Sequence, residues 1–539
     1  MKSCKYSRLA GDGRSDRIIA LLLCLAVLFA AASGLDYDCS WGDDYAAYIN
    51  DGIAIAGGRY EEQTRLNYFM HPSDMPDEAK DETLVYVWGY PLVLSLVYSA
   101  VGFDRTDYHS IIFYKLPSVI SLAAAAGILY LLFRRRMSRT SSALLSVYLC
   151  VHPTILEGAY SIYSDVFFML LSTATVFIAE SFICNLNETK PGMRSYVSGA
   201  VLGLLMLACY VTRLNGITIC ALVLLMHAAY ILQLRRDSAK GDGQKPKIKI
   251  PAAAVLPYAV YVAAAVLCNL LLPRATANTS DLLGITLSQV LTNLRYYVKQ
   301  MYRSFAEIHT GTLPYALRLA TGAAAALLIC IGIIKGWKRD AFFRVYIIFT
   351  ALTFLTLLCL PYAQGYRYLF NILPFIMMAL GYGIDSAYAW LKARFKGGEA
   401  LDKAARAAAL LLTAAILVSS VSGNLFRVLS GEDVRGEGVG KAYSRGSVEM
   451  YDYVKKESPE DAIIAFLKPR VMYLNTGRVG FCPTANNDIH TLADADYYIV
   501  CGGLYIYDRA EQQLINDSEA ILEEQYSCGD YYLVYKVIS

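Results

Sequence analysis

Two carboxylates stand side by side in Trp41-Gly42-Asp43-Asp44-Tyr45, directly after a long apolar run. Adjacent acids at a membrane surface repel each other, and partial burial beside an apolar helix end raises at least one pKa. That suits a general base or a metal ligand. The plainer alternative is a helix cap, with Asp43 as N-cap of a helix starting at Asp44 and Asp44 favourable in its first turn. A third acid, Asp165, opens another apolar run in Tyr163-Ser164-Asp165-Val166 and could likewise cap a helix. Two acids from different helices, at one depth and facing one cavity, are what a base with an orienting group, or a metal site, needs. Two cations join the candidates: Arg213, in Thr212-Arg213-Leu214-Asn215-Gly216, and Arg367, in Gly365-Tyr366-Arg367-Tyr368. They are either arginines snorkelling to an interface or a guanidinium clamp for a lipid phosphate.

The elements that must position these residues are membrane spans. Hydrophobic types make up 56% of the 539 residues and charged types 18%, against about 45–50% and 25% in soluble domains. Apolar runs of about 20 residues, enough to cross a hydrocarbon core of ~30 Å, recur along the chain. They fall at 17–35, 112–133, 140–158, 164–184, 195–211, 214–233, 252–272, 314–334, 343–361, 367–390 and 404–425, eleven spans in all. This composition excludes a soluble enzyme and a disordered scaffold, and a net charge of +3 supplies no basic field for nucleic acid. Lys and Arg gather in alternate loops: Lys2 to Arg17, Arg134 to Arg139, Lys190 and Arg194, Arg235 to Lys249, Lys335 to Arg339, and Lys392 to Arg406. Such loops are cytoplasmic. The N-terminus is therefore expected in the cytoplasm and residues 427–539 outside the cell membrane, with Arg213 and Arg367 in short outer loops against the charge rule. The first span ends in Ala30-Ala31-Ala32-Ser33-Gly34 and is read as retained, because it orients ten further spans.

The expected organisation is a transmembrane module, 1–426, followed by an extracytoplasmic α/β domain, 427–539. Within the module, 36–111 and 273–313 form external loops. The first holds fourteen acids between Asp36 and Asp107, against Arg59, Arg65, Lys80 and Arg105. Its segment 88–101, containing Tyr90-Pro91-Leu92, is too short to span and is expected as an interfacial helix. The second loop carries Arg274, Arg295, Lys299 and Arg303. In the C-terminal region the pattern predicts a helix over 447–457, strands at 462–467, 497–501 and 531–537, and a helix near 509–524. Lys468-Pro469-Arg470 and Thr476-Gly477-Arg478 read as a solvated turn and strand edge, and His71 as a surface residue. The 42 tyrosines suit interface belts. Cys482, Cys501 and Cys528 either form one disulfide or stay thiols. No Cys/His set has zinc spacing, and no glycine-rich nucleotide loop is present.

The order of these features resembles that of the GT-C membrane glycosyltransferases, in the branch of the protein O-mannosyltransferases and lipid A aminoarabinose transferases. In that family an acidic pair, usually Asp-Glu, follows the first span, and here Asp43-Asp44 stands in its place. A Pro-Leu-rich interfacial helix matches Tyr90-Pro91-Leu92, a span ending in basic residues matches Arg134-Arg135-Arg136, and a fourth span opening on Asp matches Asp165. The basic turn after the fifth span matches Arg213, and an Arg-Tyr motif with a following proline matches Arg367-Tyr368 and Pro374. The resemblance covers about residues 15–390.

It implies an inverting transferase that takes a sugar from a polyprenyl-phosphate donor at the outer leaflet and passes it to an acceptor hydroxyl on a glycan, lipid or protein. By analogy Asp43 is the general base, Asp44 and Asp165 are orienting or metal-binding partners, with a divalent cation left open, and Arg213 and Arg367 contact the donor phosphate. Two other classes compete. A transporter or flippase would bind near the bilayer midplane and show internal repeats, whereas these ionisable residues gather at one rim and no repeat is found. A non-catalytic lipid-binding assembly factor would share everything except the need for a base.

Overall fold

Helices dominate the fold, and several of them are apolar and long enough to span a membrane. The computed structural model describes residues 13–37, 39–70, 83–84, 86–186, 192–239, 252–272, 274–275, 285–306, 315–394, 398–429, 441–483, 490–501, 521–528 and 532–538. Its helices are α1 (Gly13–Ala32), α2 (Asp44–Ala56), α3 (Tyr60–Met70), α4 (Gly89–Val101), α5 (Ile111–Arg134), α6 (Arg139–Cys150), α7 (Pro153–Tyr160), α8 (Ser164–Asn185) and α9 (Met193–Thr212). There follow α10 (Ile217–Ala239), α11 (Leu256–Leu271), α12 (Leu287–Ala306), α13 (Tyr315–Arg339), α14 (Ala341–Leu358), α15 (Leu373–Arg394), α16 (Glu399–Leu429), α17 (Arg445–Glu457) and α18 (Pro469–Thr476).

Every predicted span coincides with a helix or helix pair. Eight helices among the described residues are long and apolar enough to cross a membrane by themselves: α1, α5, α8, α9, α10, α13, α14 and α16. The chain is a multi-pass membrane protein. The expected span 140–158 is instead two helices, α6 and α7, bent by 52°. Pro153 causes the break, since it lacks an N–H and keeps His152 at φ −62°, ψ 134°, outside the helical region. The seventh span, α11, has only 16 residues. The tenth, α15, is buried continuously from Leu373 to Gly383 and packs along α13 in the middle of the bundle.

At one end of the bundle, the basic residues after α5 meet buried acids. Arg136 donates from Nη2 to Glu180 at 2.5 Å and from Nε to Asp340 at 2.6 Å. Arg135 donates to the same Glu180 at 2.7 Å, and Arg134 and Arg139 share Asp16 at 3.3 and 2.9 Å. These pairs tie together the ends of α1, α5, α8 and α14. Asp340 also caps α14, accepting the Phe342 N–H at 2.9 Å.

At the opposite end, α2, α3 and α4 form one body with the C-terminal residues. Trp41, Tyr45 and Ile49 share an apolar core with Tyr443, Tyr451, Phe466, Met472 and Tyr532. Helix α4 occupies the segment expected to lie in the interface. The C-terminal sheet has strand order β4-β3-β5-β7-β6, with β3 (Ile464–Ala465), β4 (Gly480–Phe481), β5 (Tyr497–Cys501), β6 (Ile521–Cys528) and β7 (Tyr532–Ile538). A separate parallel pair joins β1 (Thr83–Leu84) to β2 (Arg274–Ala275). Strand β3 is parallel to both β4 and β5, while β7 runs antiparallel to β5 and β6. The expected helix near 509–524 is corrected at its end, where Ile521–Glu524 is strand: this stretch alternates along β7 from Ile538 to Tyr535, a period of two. The rest of that segment, and His71, lie outside the described residues. No disulfide links Cys482, Cys501 and Cys528.

Replacing Arg136 with Met removes the cation that Asp340 faces. Breaking a buried ion pair from one side typically costs about 3–5 kcal/mol, so Arg136→Met should unfold at clearly lower temperature in detergent while an exposed control such as Lys403→Met does not.

Candidate active site

Asp44 is the first residue of α2, and Asp43 occupies the cap position without capping. Its backbone is helical, at φ −63°, ψ −21°, and its side chain makes no cap hydrogen bond. The Asp43 carboxylate turns instead to Arg470, whose Nη1 lies 3.5 Å away. Asp44 faces the other way. It accepts the Tyr86 hydroxyl at 2.7 Å and Nη2 of Arg367 at 2.8 Å.

Asp165 lies one residue into α8, beyond the cap position held by Tyr163. It accepts from Nη1 of Arg213, which also reaches the Ser164 hydroxyl at 3.3 Å. Ser164 is held in turn by Tyr48 at 2.9 Å. Neither arginine snorkels away. The Arg213 guanidinium lies 4.8 Å from the ring centre of Tyr368, and that of Arg367 lies 4.5 Å from Tyr163 and 5.6 Å from Tyr368. Each cation thus has a carboxylate on one side and an aromatic face on another.

The local backbone explains these positions. Arg213 is an extended residue between the end of α9 and a single 3-10 turn over Leu214–Gly216. A Cβ at Gly216 would fall 2.2 Å from the Cys209 carbonyl oxygen, and one at Gly89 would fall 2.4 Å from that of Val211. Only glycine lets α4 and this turn close on the end of α9. Ahead of α8, Ile162 adopts φ 53°, a conformation that a β-branched residue rarely takes. The resulting sharp turn brings Tyr163 under Arg367 and starts α8 at Ser164.

Asp44, Arg213 and Arg367 line one cavity of about 480 Å³, with Tyr48, Tyr86, Asn215 and Tyr368 beside them. From this polar end the cavity continues as a slot between two helices. Its walls are Thr218, Ala221, Leu222 and Leu225 of α10 and Phe349, Leu352, Thr353, Thr356 and Leu357 of α14. From Thr218 to Leu225 the α10 wall extends ~10 Å at a rise of ~1.5 Å per residue. Asp43 and Asp165 do not line the cavity. Asn215 does, and its Oδ1 is buried with no partner among the described residues.

No family model and no curated protein sequence matches this chain. Among solved structures, ArnT from Cupriavidus metallidurans bound to undecaprenyl phosphate aligns with a TM-score of 0.53 and 12% identity, covering 96% of this chain and 97% of that one. The apo state of that protein aligns at 0.54 with the same identity and coverage. The fold is GT-C. A weaker likeness, TM-score 0.48 at 10% identity over 90% of this chain and 69% of that one, is to the archaeal oligosaccharyltransferase AglB from Archaeoglobus fulgidus in complex with an inhibitory peptide and a dolichol-phosphate.

On this GT-C frame the acids are matched by arginines and do not fit a divalent cation. Among the described residues no three His, Cys, Asp or Glu side chains come together as a metal site. The motif around Arg470, expected as a solvated turn, is buried. Arg470 is 2% exposed on α18, and Arg478 donates to the carbonyls of Lys455 and Ser458 at 3.1 and 3.0 Å, where α17 ends. Position alone gave no sign of either, because their partners lie far along the chain. Tyr48 and Tyr86 also escaped notice among the 42 tyrosines.

Behind Asp43 lies a fourth acid, Asp51, wholly buried between α2 and α3. Its Oδ1 accepts Nδ2 of Asn67 at 2.9 Å, and Asn67 in turn accepts from Gln63 at 3.0 Å. Burial pushes the Asp51 carboxyl up to about 7, opposed by the Asn67 hydrogen bond and the Arg470 charge. In an unfolded chain the group loses its proton near ~3.9. Between these values the native state binds the extra proton, so this carboxyl lowers stability as pH rises from about 4 to 7. Asp51→Asn should therefore raise the melting temperature more at pH 8 than at pH 5, and an equal gain at both would contradict the burial argument.

Proposed function

We propose that this chain is a membrane glycosyltransferase that moves a sugar from a polyprenyl-phosphate donor to an acceptor hydroxyl. The observation that carries the reading is the shape and chemistry of one cavity. Two arginines and a carboxylate stand at its polar end, and an apolar slot between α10 and α14 leads away from them. That form fits an amphiphile with a phosphate head and a long hydrocarbon tail. The fold of ArnT, whose solved complex holds undecaprenyl phosphate, supports it.

Arg213 and Arg367 would meet the donor phosphate. Arg367 places one guanidinium nitrogen on Asp44, and Arg213 places one on Asp165 and Ser164. A guanidinium has five N–H groups, so both retain donors for phosphate oxygens. The C–O bond between sugar and phosphate breaks as the acceptor oxygen attacks the anomeric carbon from the opposite face, which inverts that centre. Negative charge grows on the leaving phosphate, and fixed guanidinium groups stabilise it more in the transition state than before it. The acceptor hydroxyl gives up its proton in the same step. Asp44 takes the role of general base here in place of Asp43, because Asp44 lines the cavity and Asp43 is held by Arg470. Asp165 is the carboxylate that orients Arg213.

Orientation follows from the lysines and arginines of alternate loops. They put the end bearing Arg134–Arg136 in the cytoplasm and the cavity on the outer face, where a lipid-linked donor replaces a nucleotide sugar. The acceptor would be a cell-surface glycan, lipid or protein, and the sugar a hexose or pentose. The C-terminal region, 427–539, would be an outer domain seated on the catalytic module, 1–426.

Asp44→Asn, purified and reconstituted with a polyprenyl-phosphate sugar, should lose transfer by ~10²–10⁴-fold, the usual worth of a general base. Asp43→Asn should retain far more activity. The reverse order would return the base role to Asp43. Thr353→Trp fills the slot without touching the polar end. It should raise the KM for a long-chain donor by at least tenfold and leave a short-chain, water-soluble donor nearly unaffected; an equal effect on both would remove the tail from the slot.

A further inference from the structure

Both oxygens of the Asp44 carboxylate are engaged, each by a different residue. Oδ1 accepts the Tyr86 hydroxyl at 2.7 Å, and Oδ2 accepts Nη2 of Arg367 at 2.8 Å. Arginine and carboxylate frequently pair through two parallel N–H···O bonds, fork to fork. Here one guanidinium nitrogen makes the contact, and the oxygen that would complete the fork is held by the tyrosine.

Tyr86 is fixed from both sides. Two residues before it, Leu84 pairs with Ala275, which joins the loop 36–111 to the segment after α11. Three residues after it, Gly89 opens α4 against the end of α9. The Tyr86 ring stacks on that of Tyr48, with 4.3 Å between centres and 23° between planes. Tyr48 in turn meets Tyr90 edge-on at 5.3 Å and shares a hydrogen bond with Ser164 at 2.9 Å. Burial first, and then the neighbouring Asp44 charge, holds the Tyr86 phenol well above its usual range, so it stays protonated and donates. Arg367 has less freedom than its length suggests. Its guanidinium lies 4.5 Å from the ring of Tyr163 and 5.6 Å from that of Tyr368.

We propose that Tyr86 is a positioning residue of the transfer reaction, whose hydroxyl, by holding Oδ1, keeps Asp44 and Arg367 from closing into a two-bond pair. A closed pair would occupy a second N–H of Arg367 that is otherwise open to the donor phosphate. It would also turn both carboxylate oxygens toward a cation, where a proton is taken up less readily. A carboxylate has about four lone-pair sites, so with one oxygen on Tyr86 and the other on a single nitrogen, Asp44 keeps room for the acceptor's proton. Tyr86 itself neither gains nor loses a proton: the acceptor proton goes to Asp44, and the electron pair of the broken C–O bond goes to the phosphate. This role rests on the reading of Asp44 as base and Arg367 as a phosphate contact.

Tyr86→Phe removes the hydroxyl and keeps the ring that stacks on Tyr48. Binding of undecaprenyl phosphate to the full chain in nanodiscs reads the consequence without need of a sugar or an acceptor. The substitution should weaken binding by about threefold to tenfold, the worth of one hydrogen bond. Lysine has no fork to complete, so in an Arg367→Lys background the same change should alter binding by less than about twofold, whereas a merely structural effect would carry the same factor into both backgrounds. In the reconstituted transfer assay Tyr86→Phe should lower kcat by roughly 10–100-fold, as loss of a hydrogen bond to a charged group does. Wild type that binds no undecaprenyl phosphate would overturn the proposed donor, and this role with it. Binding by wild type that falls equally in both backgrounds, or does not fall at all in Tyr86→Phe, overturns the role of Tyr86 alone and leaves the donor standing.

Discussion

An ionised carboxylate cannot rest against an apolar wall without a cation, and arginine supplies that cation at both ends of this bundle. At one end Arg136 serves Glu180 and Asp340 together. At the other, Asp44 faces Arg367, Asp165 faces Arg213 and Asp43 faces Arg470. Where the pair is fully buried, as at Arg136, removing one member leaves a charge whose effective penalty is several kcal/mol. The pairs therefore fix more than local geometry: they hold α2 against the turn before α15, and α8 against the turn after α9. Arginine serves better than lysine would, since its planar group can meet a carboxylate at its edge and a tyrosine ring at its face together.

The acidic pair at the start of α2 illustrates how one turn of helix can serve two masters. Successive residues project ~100° apart, and Asp43 and Asp44 meet different partners. Asp44 turns to the cavity and Asp43 to α18 of the C-terminal body. Asn50, further along α2, donates to the backbone carbonyl of Arg470 at 3.1 Å. The C-terminal body is thus joined to the helix that carries the cavity's carboxylate, by a charge contact at its first turn and a hydrogen bond near its middle.

Most of the membrane part was legible from sequence because its signal is local. A run of 20 apolar residues needs no knowledge of what lies beside it, and the alternation of basic loops needs only counting. The five candidate residues stood out as types out of keeping with their surroundings, and three of them, Asp44, Arg213 and Arg367, line the cavity. Their partnerships were not legible. Asp44 and Arg367 are 323 residues apart, and nothing in either local pattern points to the other. The same distance problem hid Arg470, whose motif looks like any solvated turn until α2 is packed on it. The break at Pro153 was readable in principle, since proline disfavours helix at the residue before it, but continuous hydrophobicity concealed it. The start of the strand, Ile521–Glu524, was misread because Glu523-Glu524 favours helix by propensity and yields to pairing with β7.

The turn at Ile162 shows what the apolar core beside the cavity does for the polar groups within it. A β-branched residue at positive φ costs on the order of 1–3 kcal/mol and persists only where its surroundings over-determine it. Ile162 is fully buried in the core that α2, α4 and the C-terminal body build together. Burying an isoleucine side chain is worth about 1.5–3 kcal/mol, comparable to the strain it offsets. The residue that follows, Tyr163, lies under Arg367, and two further on stands Asp165 beside Arg213. Hydrophobic packing therefore holds a strained backbone, and that backbone sets the positions of Tyr163 and Asp165, which the two arginines meet.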